Sequence, residues 1–250
     1  RENSLSSNDF ILPIFVTEGK NKKIPIKTMP EVFRYSVDKL GQIVDRALKL
    51  KIPMVAIFPQ TNSGLKDSYG SEALNENNLV CKAIRKIKDK YKNEIGIMTD
   101  VALDPYTSHG HDGILRNKRI LNDETIEILI QQSLLQAQMG SDVIAPSDMM
   151  DGRIGEIRQE LDNNSLKDIK ILSYAVKYAS SFYGPFRDAV GSKKSLKGDK
   201  KTYQMDFSNS EEALREVALD IKEGADLVMV KPGLPYLDII KKVKENFKIP

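Results

Sequence analysis

The chain alternates short apolar runs with longer amphipathic segments, and this alternation restricts the possible folds more than any other feature. Most of the runs are nearly continuous in apolar character, which is typical of parallel strands buried on both faces. Strands that alternate with helices predict an α/β fold built on a parallel sheet. The predicted strands are residues 11–16, 54–58, 95–100, 142–145, 169–173 and 226–231.

The segments between the strands place apolar residues at helical spacing. Two of them are followed by a glycine, Gly140 or Gly224, at the position where a helix commonly ends. The predicted helices are residues 36–50, 124–139, 211–222 and 237–247.

The connections between strands favour a barrel over a doubly wound sheet. A doubly wound sheet usually has a glycine-rich phosphate turn after its first strand, but residues 17–29 form a long polar connection without one. Polar residues instead lie at or just after strand ends, at Asp100, Ser147, Lys177 and Lys231. Because chemistry in barrels occurs at that rim, we predict a (β/α)8 TIM barrel.

Only six strands are predicted, fewer than a closed barrel of this class contains. Residues 247–250 resemble the passage from a helix into a further strand. We therefore expect a single, truncated barrel domain over residues 1–250. It lacks an N-terminal arm and the last two strand–helix units of the natural protein.

Composition excludes several functional classes. Lys and Arg number 38 against 35 Asp and Glu and are interspersed with them, unlike the clustered basic surface of a nucleic-acid-binding protein. No apolar run approaches the roughly 20 residues of a membrane-spanning helix. Cys81, the only cysteine, cannot form an intrachain disulfide and is expected in the core. We expect a cytoplasmic protein, or a plastid protein if an upstream transit peptide was removed.

Lys231 ends the last predicted strand. Burial there would disfavour the ammonium form and lower the pKa, so that the neutral amine could attack a ketone. A lysine at a strand end can instead extend into solvent, which is the commoner case for a lysine considered alone.

Lys177 follows the fifth predicted strand. If it shares a pocket with Lys231, each charge lowers the pKa of the other, and both amines could form imines with a carbonyl substrate. Lys177 could equally begin a helix and face water. Spacing alone leaves both interpretations open.

Four stretches, in order, resemble the porphobilinogen synthase (delta-aminolevulinic acid dehydratase) family. Residues 106–113 resemble its metal loop, and residues 144–152 resemble another family stretch. Residues 177–187 resemble its lid-side signature, and residues 229–232 its Schiff-base motif. The similarity extends from about Asn8 to Pro250, and four ordered motifs are more specific than any single one.

The resemblance implies that two molecules of 5-aminolevulinate condense to porphobilinogen, with loss of two waters, in tetrapyrrole biosynthesis. By this resemblance, Lys231 forms a Schiff base with the substrate of the propionate side, and Lys177 with that of the acetate side. Two tethered substrates would react in an effectively intramolecular step.

Residues 184–204 resemble the family's active-site lid. The resemblance implies that Arg187 and Lys200 clamp a substrate carboxylate and that Gln204 lies near the substrate. Many relatives have arginine at the position of Lys200, and lysine keeps the charge without the bidentate geometry. The remaining lid lysines are interpreted as a solvated loop: Lys193, Lys194, Lys197 and Lys201.

Asp100 ends the third predicted strand, where its carboxylate could orient a substrate amine, relay a proton or simply cap a loop. Zinc-dependent relatives have three cysteines where this chain has Ala102, Asp104 and Asp112. We therefore expect no thiolate zinc site. The pattern resembles the aspartate-rich branch that responds to magnesium or potassium, with Asp104 and Asp112 contacting substrate or water.

Glu216 matches the family's outer, allosteric magnesium ligand at a subunit boundary, although a solvent-facing helical glutamate is the simpler interpretation. His109 and His111 could form a metal pair, but we favour loop packing for both. The family assembles as octamers through an N-terminal arm, so the resemblance implies a homo-octamer for the full-length protein.

Two other functions remain open. One is a class I aldolase that uses a single Schiff-base lysine on the same barrel. The paired lysines and the lid argue against it. The other is an inactive, truncated paralogue that acts as a binding partner, against which the retention of Lys177, Lys231 and Arg187 argues.

Overall fold

The computed structural model describes residues 4–191, 196 and 198–250. Its strands are β1 (Ile11–Thr17), β2 (Lys23–Pro25), β3 (Phe33–Ser36), β4 (Met54–Gln60), β5 (Gly96–Val101), β6 (Ile114–Arg116), β7 (Arg119–Leu121), β8 (Val143–Pro146), β9 (Lys170–Lys177) and β10 (Leu227–Lys231). Its helices are α1 (Leu40–Lys49), α2 (Leu79–Tyr91), α3 (Asn122–Met139), α4 (Arg153–Asn163), α5 (Gly184–Ala189), α6 (Glu211–Glu223) and α7 (Leu237–Asn246).

All six predicted strands are present, as β1, β4, β5, β8, β9 and β10. They are parallel and lie side by side in the order in which they occur along the chain. In a barrel, consecutive strands are added to the sheet in one direction. In a doubly wound sheet, the strand order reverses at a switch point. The predicted α/β fold of the barrel type is therefore confirmed.

Two hairpins lie outside the prediction. β3 pairs in parallel with β1, and β2 pairs antiparallel with β3, so the polar connection after β1 extends the sheet beyond β1. β6 and β7 form a separate antiparallel pair between β5 and α3. Both hairpins use strands of three or four residues, too short to show a periodic pattern.

The sheet separates two apolar layers. Side chains on its inner face form a cluster that includes Phe15, Phe58, Met98 and Tyr174. The helices cover the outer face, and α1 buries Leu40, Val44 and Ala47 against it.

Gly140 and Gly224 adopt positive φ angles of 111° and 108° immediately after α3 and α6. These helices therefore end where the sequence predicted. α2 and α4 were not delimited beforehand, and Cys81 is buried within α2. No helix in the described part of the chain is long and apolar enough to cross a membrane.

The register between β9 and β10 shifts once along their length. Val228 pairs with Ser173, whereas Val230 pairs with Val176, so β9 has one residue more than β10 over this stretch. A bulge of this kind reverses the alternation of side chains beyond it. As a result, Lys177 at the end of β9 joins the face of Tyr174 rather than the opposite face.

The last residues run alongside the edge of β10. The amide of Val228 donates a hydrogen bond to the carbonyl of Pro250, 3.1 Å away. The passage of residues 247–250 into a further strand stays a prediction.

Candidate active site

Lys177 and Lys231 end two neighbouring parallel strands. They are register partners, and register partners on parallel strands direct their side chains to the same face. Both line one cavity at the carboxyl-terminal ends of the strands. The other lining residues are Asp100, Asp104, Ser147, Tyr174, Tyr183, Phe186, Arg187, Lys200 and Gln204.

The amine of Lys231 lies among aromatic rings. Its Nζ is 4.3 Å from the ring centroid of Phe186, 5.1 Å from that of Tyr174 and 5.9 Å from that of Phe58. Burial, together with the positive charge of Lys177, lowers the pKa of Lys231 to about 8. A substantial fraction of this amine is therefore neutral and nucleophilic near physiological pH.

Lys177 is the last residue of β9 and is 7% exposed. It therefore neither begins a helix nor faces water, which removes the alternative that the sequence left open. Its amine donates a hydrogen bond to the carbonyl of Ser147, the residue that follows β8. Asp112 Oδ1 lies 3.7 Å from the same amine. These contacts hold Lys177 towards the cavity.

Asp104, Asp112 and Lys200 form a buried charged cluster beside Lys177. The Nζ of Lys200 is 2.9 Å from Asp112 Oδ2 and 3.4 Å from Asp104 Oδ2. Burial alone would raise the pKa of Asp112, but the ammonium groups of Lys177 and Lys200 lower it to about 2. Burial alone would lower the pKa of Lys200, but Asp104 and Asp112 raise it. Lys200 and Asp112 are thus a charged pair.

Asp100 lies in β5, one residue before its end. Burial raises its pKa to about 6, and Asp104 adds to the rise, while Lys177 and a hydrogen bond with Ser147 oppose it. A carboxyl group with this pKa can accept or release a proton near neutral pH.

Arg187 and Gln204 approach the cavity from the lid segment. The guanidinium of Arg187, on α5, lies 5.8 Å from the ring centroid of Tyr183. Gln204 is 6% exposed, and its Oε1 has no hydrogen-bond partner among the described residues. Lid residues Lys193, Lys194 and Lys197 lie outside the described residues, and Lys201 is exposed.

His109 and His111 pack within the loop that follows β5. Each is 5% exposed. His109 Nε2 lies 3.2 Å from the carbonyl of Ser68, and His111 Nδ1 lies 3.0 Å from the hydroxyl of Tyr203. These contacts agree with the preferred interpretation of loop packing. In the described part of the chain, no group of three or more His, Cys, Asp or Glu is arranged to hold a metal ion.

Glu216 lies on α6 and borders a different cavity, of about 880 Å³. It is half-buried, which is more enclosure than a solvent-facing helical glutamate has. Burial raises its pKa, and the negative charges of Asp220 and Asp151 raise it further. The other charged lining residues are Asp151, Lys201, Asp206, Glu211, Glu212 and Arg215, so Glu216 belongs to a region in which carboxylates outnumber cations.

A buried arginine connects the elements around the lysine cavity, and the sequence did not reveal it. Arg153, at the start of α4, places Nε 3.2 Å from Asp148 Oδ2 and Nη1 3.9 Å from Asp220 Oδ1. Its Nη2 also donates a hydrogen bond of 3.3 Å to the hydroxyl of Ser173, on β9. Asp148 lies in the stretch 144–152 and Arg153 directly follows it, but only the fold shows that Asp220 meets them.

The aromatic wall around Lys231 was also missed. Tyr174 and Phe186 stand close to Lys177 in the sequence but far from Lys231. Phe58, on β4, is far from both in the sequence and meets Phe186 edge to face with ring centroids 5.2 Å apart.

Comparison with known proteins identifies close relatives. The family model for delta-aminolevulinic acid dehydratase matches residues 1–250. Delta-aminolevulinic acid dehydratase of Bradyrhizobium diazoefficiens is 58% identical over 250 residues, covering 100% of this chain and 70% of that protein. The protein of the same name from Methanothermus sociabilis is 51% identical over 253 residues, with 100% and 77% covered.

A solved structure gives the same result. The crystal structure of delta-aminolevulinic acid dehydratase (porphobilinogen synthase) from Toxoplasma gondii, in complex with the reaction product porphobilinogen, matches with a TM-score of 0.95. The two sequences are 44% identical, and the match covers 100% of this chain and 71% of that chain.

Proposed function

The chain belongs to the delta-aminolevulinic acid dehydratase (porphobilinogen synthase) family, and we propose that it condenses two molecules of 5-aminolevulinate into porphobilinogen through imines on Lys177 and Lys231. One observation carries this proposal. The two lysines are register partners whose side chains line the same cavity. Only such a pair can hold two ketones together, so that carbon–carbon and carbon–nitrogen bond formation becomes effectively intramolecular.

In this proposal Lys231 binds the substrate that becomes the propionate side of the product. The neutral amine attacks the ketone carbon, and water leaves as the imine forms. The lowered pKa of Lys231, caused first by burial and then by Lys177, supplies the neutral amine that this step requires.

Lys177 binds the substrate of the acetate side. Its ion pair with Asp112 and its hydrogen bond to the Ser147 carbonyl orient its amine beside that of Lys231. When the imine forms, the nitrogen of Lys177 loses the hydrogens that it directs to Asp112 and to the Ser147 carbonyl. Asp112 is then available to the substrate amine.

Arg187 and Lys200 bind a substrate carboxylate, and Gln204 lies beside them. Arg187 has the planar donor fork that suits a carboxylate, whereas Lys200 offers a point charge. Lys200 is already paired with Asp104 and Asp112. A substrate carboxylate must therefore displace or share these partners, so Lys200 also ties the lid to the metal-loop aspartates.

Asp100 transfers protons during the condensation. Its pKa of about 6, raised first by burial, allows it to take a proton from a substrate amine and return it to a leaving water. Asp104 and Asp112 contact substrate or water rather than a metal, because the ammonium of Lys200 already occupies the space between their carboxylates.

Magnesium binds at Glu216 as an allosteric ion outside the lysine cavity. Glu216 would offer this ion a carboxylate oxygen in a roomy cavity where carboxylates outnumber cations. Magnesium prefers oxygen ligands and keeps several of its waters, which suits a site with one direct carboxylate. When bound, the ion neutralises the charge of Glu216 and its neighbours.

The proposed full-length protein is a homo-octamer. The allosteric role of magnesium depends on this assembly, because the Glu216 site is expected at a subunit boundary. The compartment stays a prediction: the cytoplasm, or a plastid if a transit peptide was removed.

Borohydride trapping tests the proposal. The complete protein is incubated with 5-aminolevulinate and reduced with borohydride, and modified lysines are located by mass spectrometry. We expect adducts on both Lys177 and Lys231. An adduct on Lys231 alone would favour a single-imine aldolase, and adducts on neither lysine would reject the proposed mechanism.

A further inference from the structure

Arg34, in β3, holds the carboxyl-terminal end of α5. Its Nε donates a hydrogen bond of 2.6 Å to the carbonyl of Ala189, and its Nη2 donates another to the carbonyl of Asp188. The same nitrogen lies 3.8 Å from Asp188 Oδ1. Thr28 supports this contact by donating a hydrogen bond of 2.7 Å to Asp188 Oδ2. One guanidinium thus joins the polar connection after β1 to the start of the lid.

These contacts are made at the carboxyl-terminal end of α5, where they can stabilise the position of the helix. The last carbonyls of a helix have no partners within the helix and carry partial negative charge. Arg34 is 9% exposed, and Ala189 is fully buried, so water cannot easily replace the guanidinium. The planar fork of arginine can serve two carbonyls at once, whereas lysine offers a single point charge.

The held helix carries two residues of the candidate active site. Phe186 is the residue whose ring centroid lies 4.3 Å from the Lys231 amine, and Arg187 lines the same cavity. Phe186 also contacts Phe15, with ring centroids 6.2 Å apart. Phe15 is the register partner of Arg34 on β1. Arg34 and Phe15 therefore both contact α5 from neighbouring positions of the sheet, Arg34 at the end of the helix and Phe15 through Phe186.

We propose that Arg34 is a positioning residue for the imine site, which keeps Phe186 against Lys231 and Arg187 at the cavity by clamping the end of α5. The inference rests on the proposed function, because it concerns the reactivity of Lys231. Arg34 touches neither lysine and acts only through α5.

If Arg34 were only structural, its removal would lower stability without changing the reactivity of Lys231. The test therefore measures imine formation at Lys231. Without the clamp, Phe186 moves away and water reaches the Lys231 amine. The pH midpoint of imine formation at Lys231 then rises towards the value of an ordinary lysine. Arg187 lies on α5 and moves with Phe186, whereas the other ionisable groups of this cavity stay in place and set the remaining field: Asp100, Asp104, Tyr174, Lys177, Tyr183 and Lys200.

The experiment compares Arg34→Ala and Arg34→Lys with the wild-type protein and with Arg119→Ala, an exposed arginine on β7. Borohydride trapping with 5-aminolevulinate is followed at Lys231 from pH 6 to 10. Amide hydrogen exchange is measured over residues 184–190. For Arg34→Ala we expect a midpoint raised by about one unit, which reduces trapping about tenfold at pH 7, and faster exchange in α5. Arg34→Lys is expected to lie between Arg34→Ala and wild type.

The outcomes separate the inference from the proposed function. If the wild-type protein forms no adduct on either lysine, the proposed function fails. If wild type forms adducts and Arg34→Ala has the same midpoint, the clamp is refuted. If Arg34→Ala does not fold, Arg34→Lys decides: a raised midpoint with faster exchange in α5 supports the clamp, and a wild-type midpoint refutes it.

Discussion

Lys177 and Lys231 are register partners at the ends of adjacent strands, and the ring of Tyr174 lies 5.8 Å from the first amine and 5.1 Å from the second. The two amines therefore share one partly apolar environment. Their mutual repulsion disfavours the doubly charged state. Burial, and after it the charge of Lys177, lowers the pKa of Lys231, so its amine is the one expected to act as a nucleophile.

Imine formation at Lys231 is expected to follow the neutral fraction of its amine. Burial and Lys177 lower its pKa to about 8, so the trapping rate should rise as pH increases through 8 and then level off. An ordinary lysine would continue to gain reactivity up to about pH 10.4. Borohydride trapping from pH 6 to 11, with mass spectrometry of Lys231, measures the midpoint.

Substitution provides the control for this profile. Lys231→Ala should abolish turnover, whereas Lys241→Ala, with a side chain that is 76% exposed on α7, should leave it unchanged. A midpoint near that of free lysine would contradict the assignment, as would near-normal turnover in Lys231→Ala.

Asp112 should make the protein sensitive to acid. Its pKa is about 2 in the folded chain, against 3.8 ordinarily, because Lys177 and Lys200 outweigh the effect of burial. A lowered folded pKa contributes stability above pH 4 that is lost as pH falls towards 2, here about 2 kcal/mol. Asp112→Asn should therefore lower the free energy of unfolding at pH 7 by about that amount. It should also flatten the pH dependence between pH 4 and 2, as measured by urea unfolding.

Asp100 changes the pH dependence of folding stability in the opposite direction to Asp112. Because burial raises its folded pKa to about 6, the folded state binds the proton more tightly, so stability decreases as pH rises from about 4 to 6. Asp168→Asn, at an exposed aspartate, is the control variant for urea unfolding across this pH range. If Asp112→Asn matched this control at every pH, the Asp112–Lys200 pair would not be a stabilising contact.

The sequence predicted the strands because these depend on local patterns, whereas Lys177 lay beyond the predicted fifth strand and was assigned through the family resemblance. Buried parallel strands show continuous apolar runs, so all six were recognised, and Lys177 and Lys231 stand at their ends. The bulge in β9 could not be recognised, since a register shift is a property of two strands together. A regular β9 would have placed Lys177 on the face opposite Tyr174.

Contacts between distant segments were also beyond the sequence. The pairing of Lys200 with Asp104 and Asp112 depends on how residues 198–204 meet the loop that follows β5. The contact of Arg34 with α5 joins residues 155 positions apart. Neither contact produces a periodic pattern in the sequence, because each depends on a single side chain meeting a distant segment.

Removing Arg153 should destabilise the protein severely. Arg153 is 2% exposed and pairs with the buried Asp148 and Asp220. Arg153→Leu leaves both carboxylates without their cation, at a cost of about 3–5 kcal/mol. Urea unfolding at pH 7 measures the loss, and Arg119→Leu, at an exposed site, is the control. A loss no larger than that of the control would show that the carboxylates find other partners or protonate at no cost.

Glu216 is the residue through which magnesium should act. The ion would relieve the negative charge that Asp220 and Asp151 place on this half-buried carboxylate. Glu216→Gln keeps the shape of the side chain but removes its charge, so magnesium should no longer raise activity or shift the protein towards larger assemblies. Enzyme assays and sedimentation velocity over a magnesium titration measure both effects.

Glu245→Gln, whose side chain is 63% exposed on α7, should respond as wild type does. Because Glu216 borders a different cavity from Lys177 and Lys231, the Glu216→Gln variant should still form both borohydride adducts. A magnesium response that survives in Glu216→Gln would place the ion elsewhere.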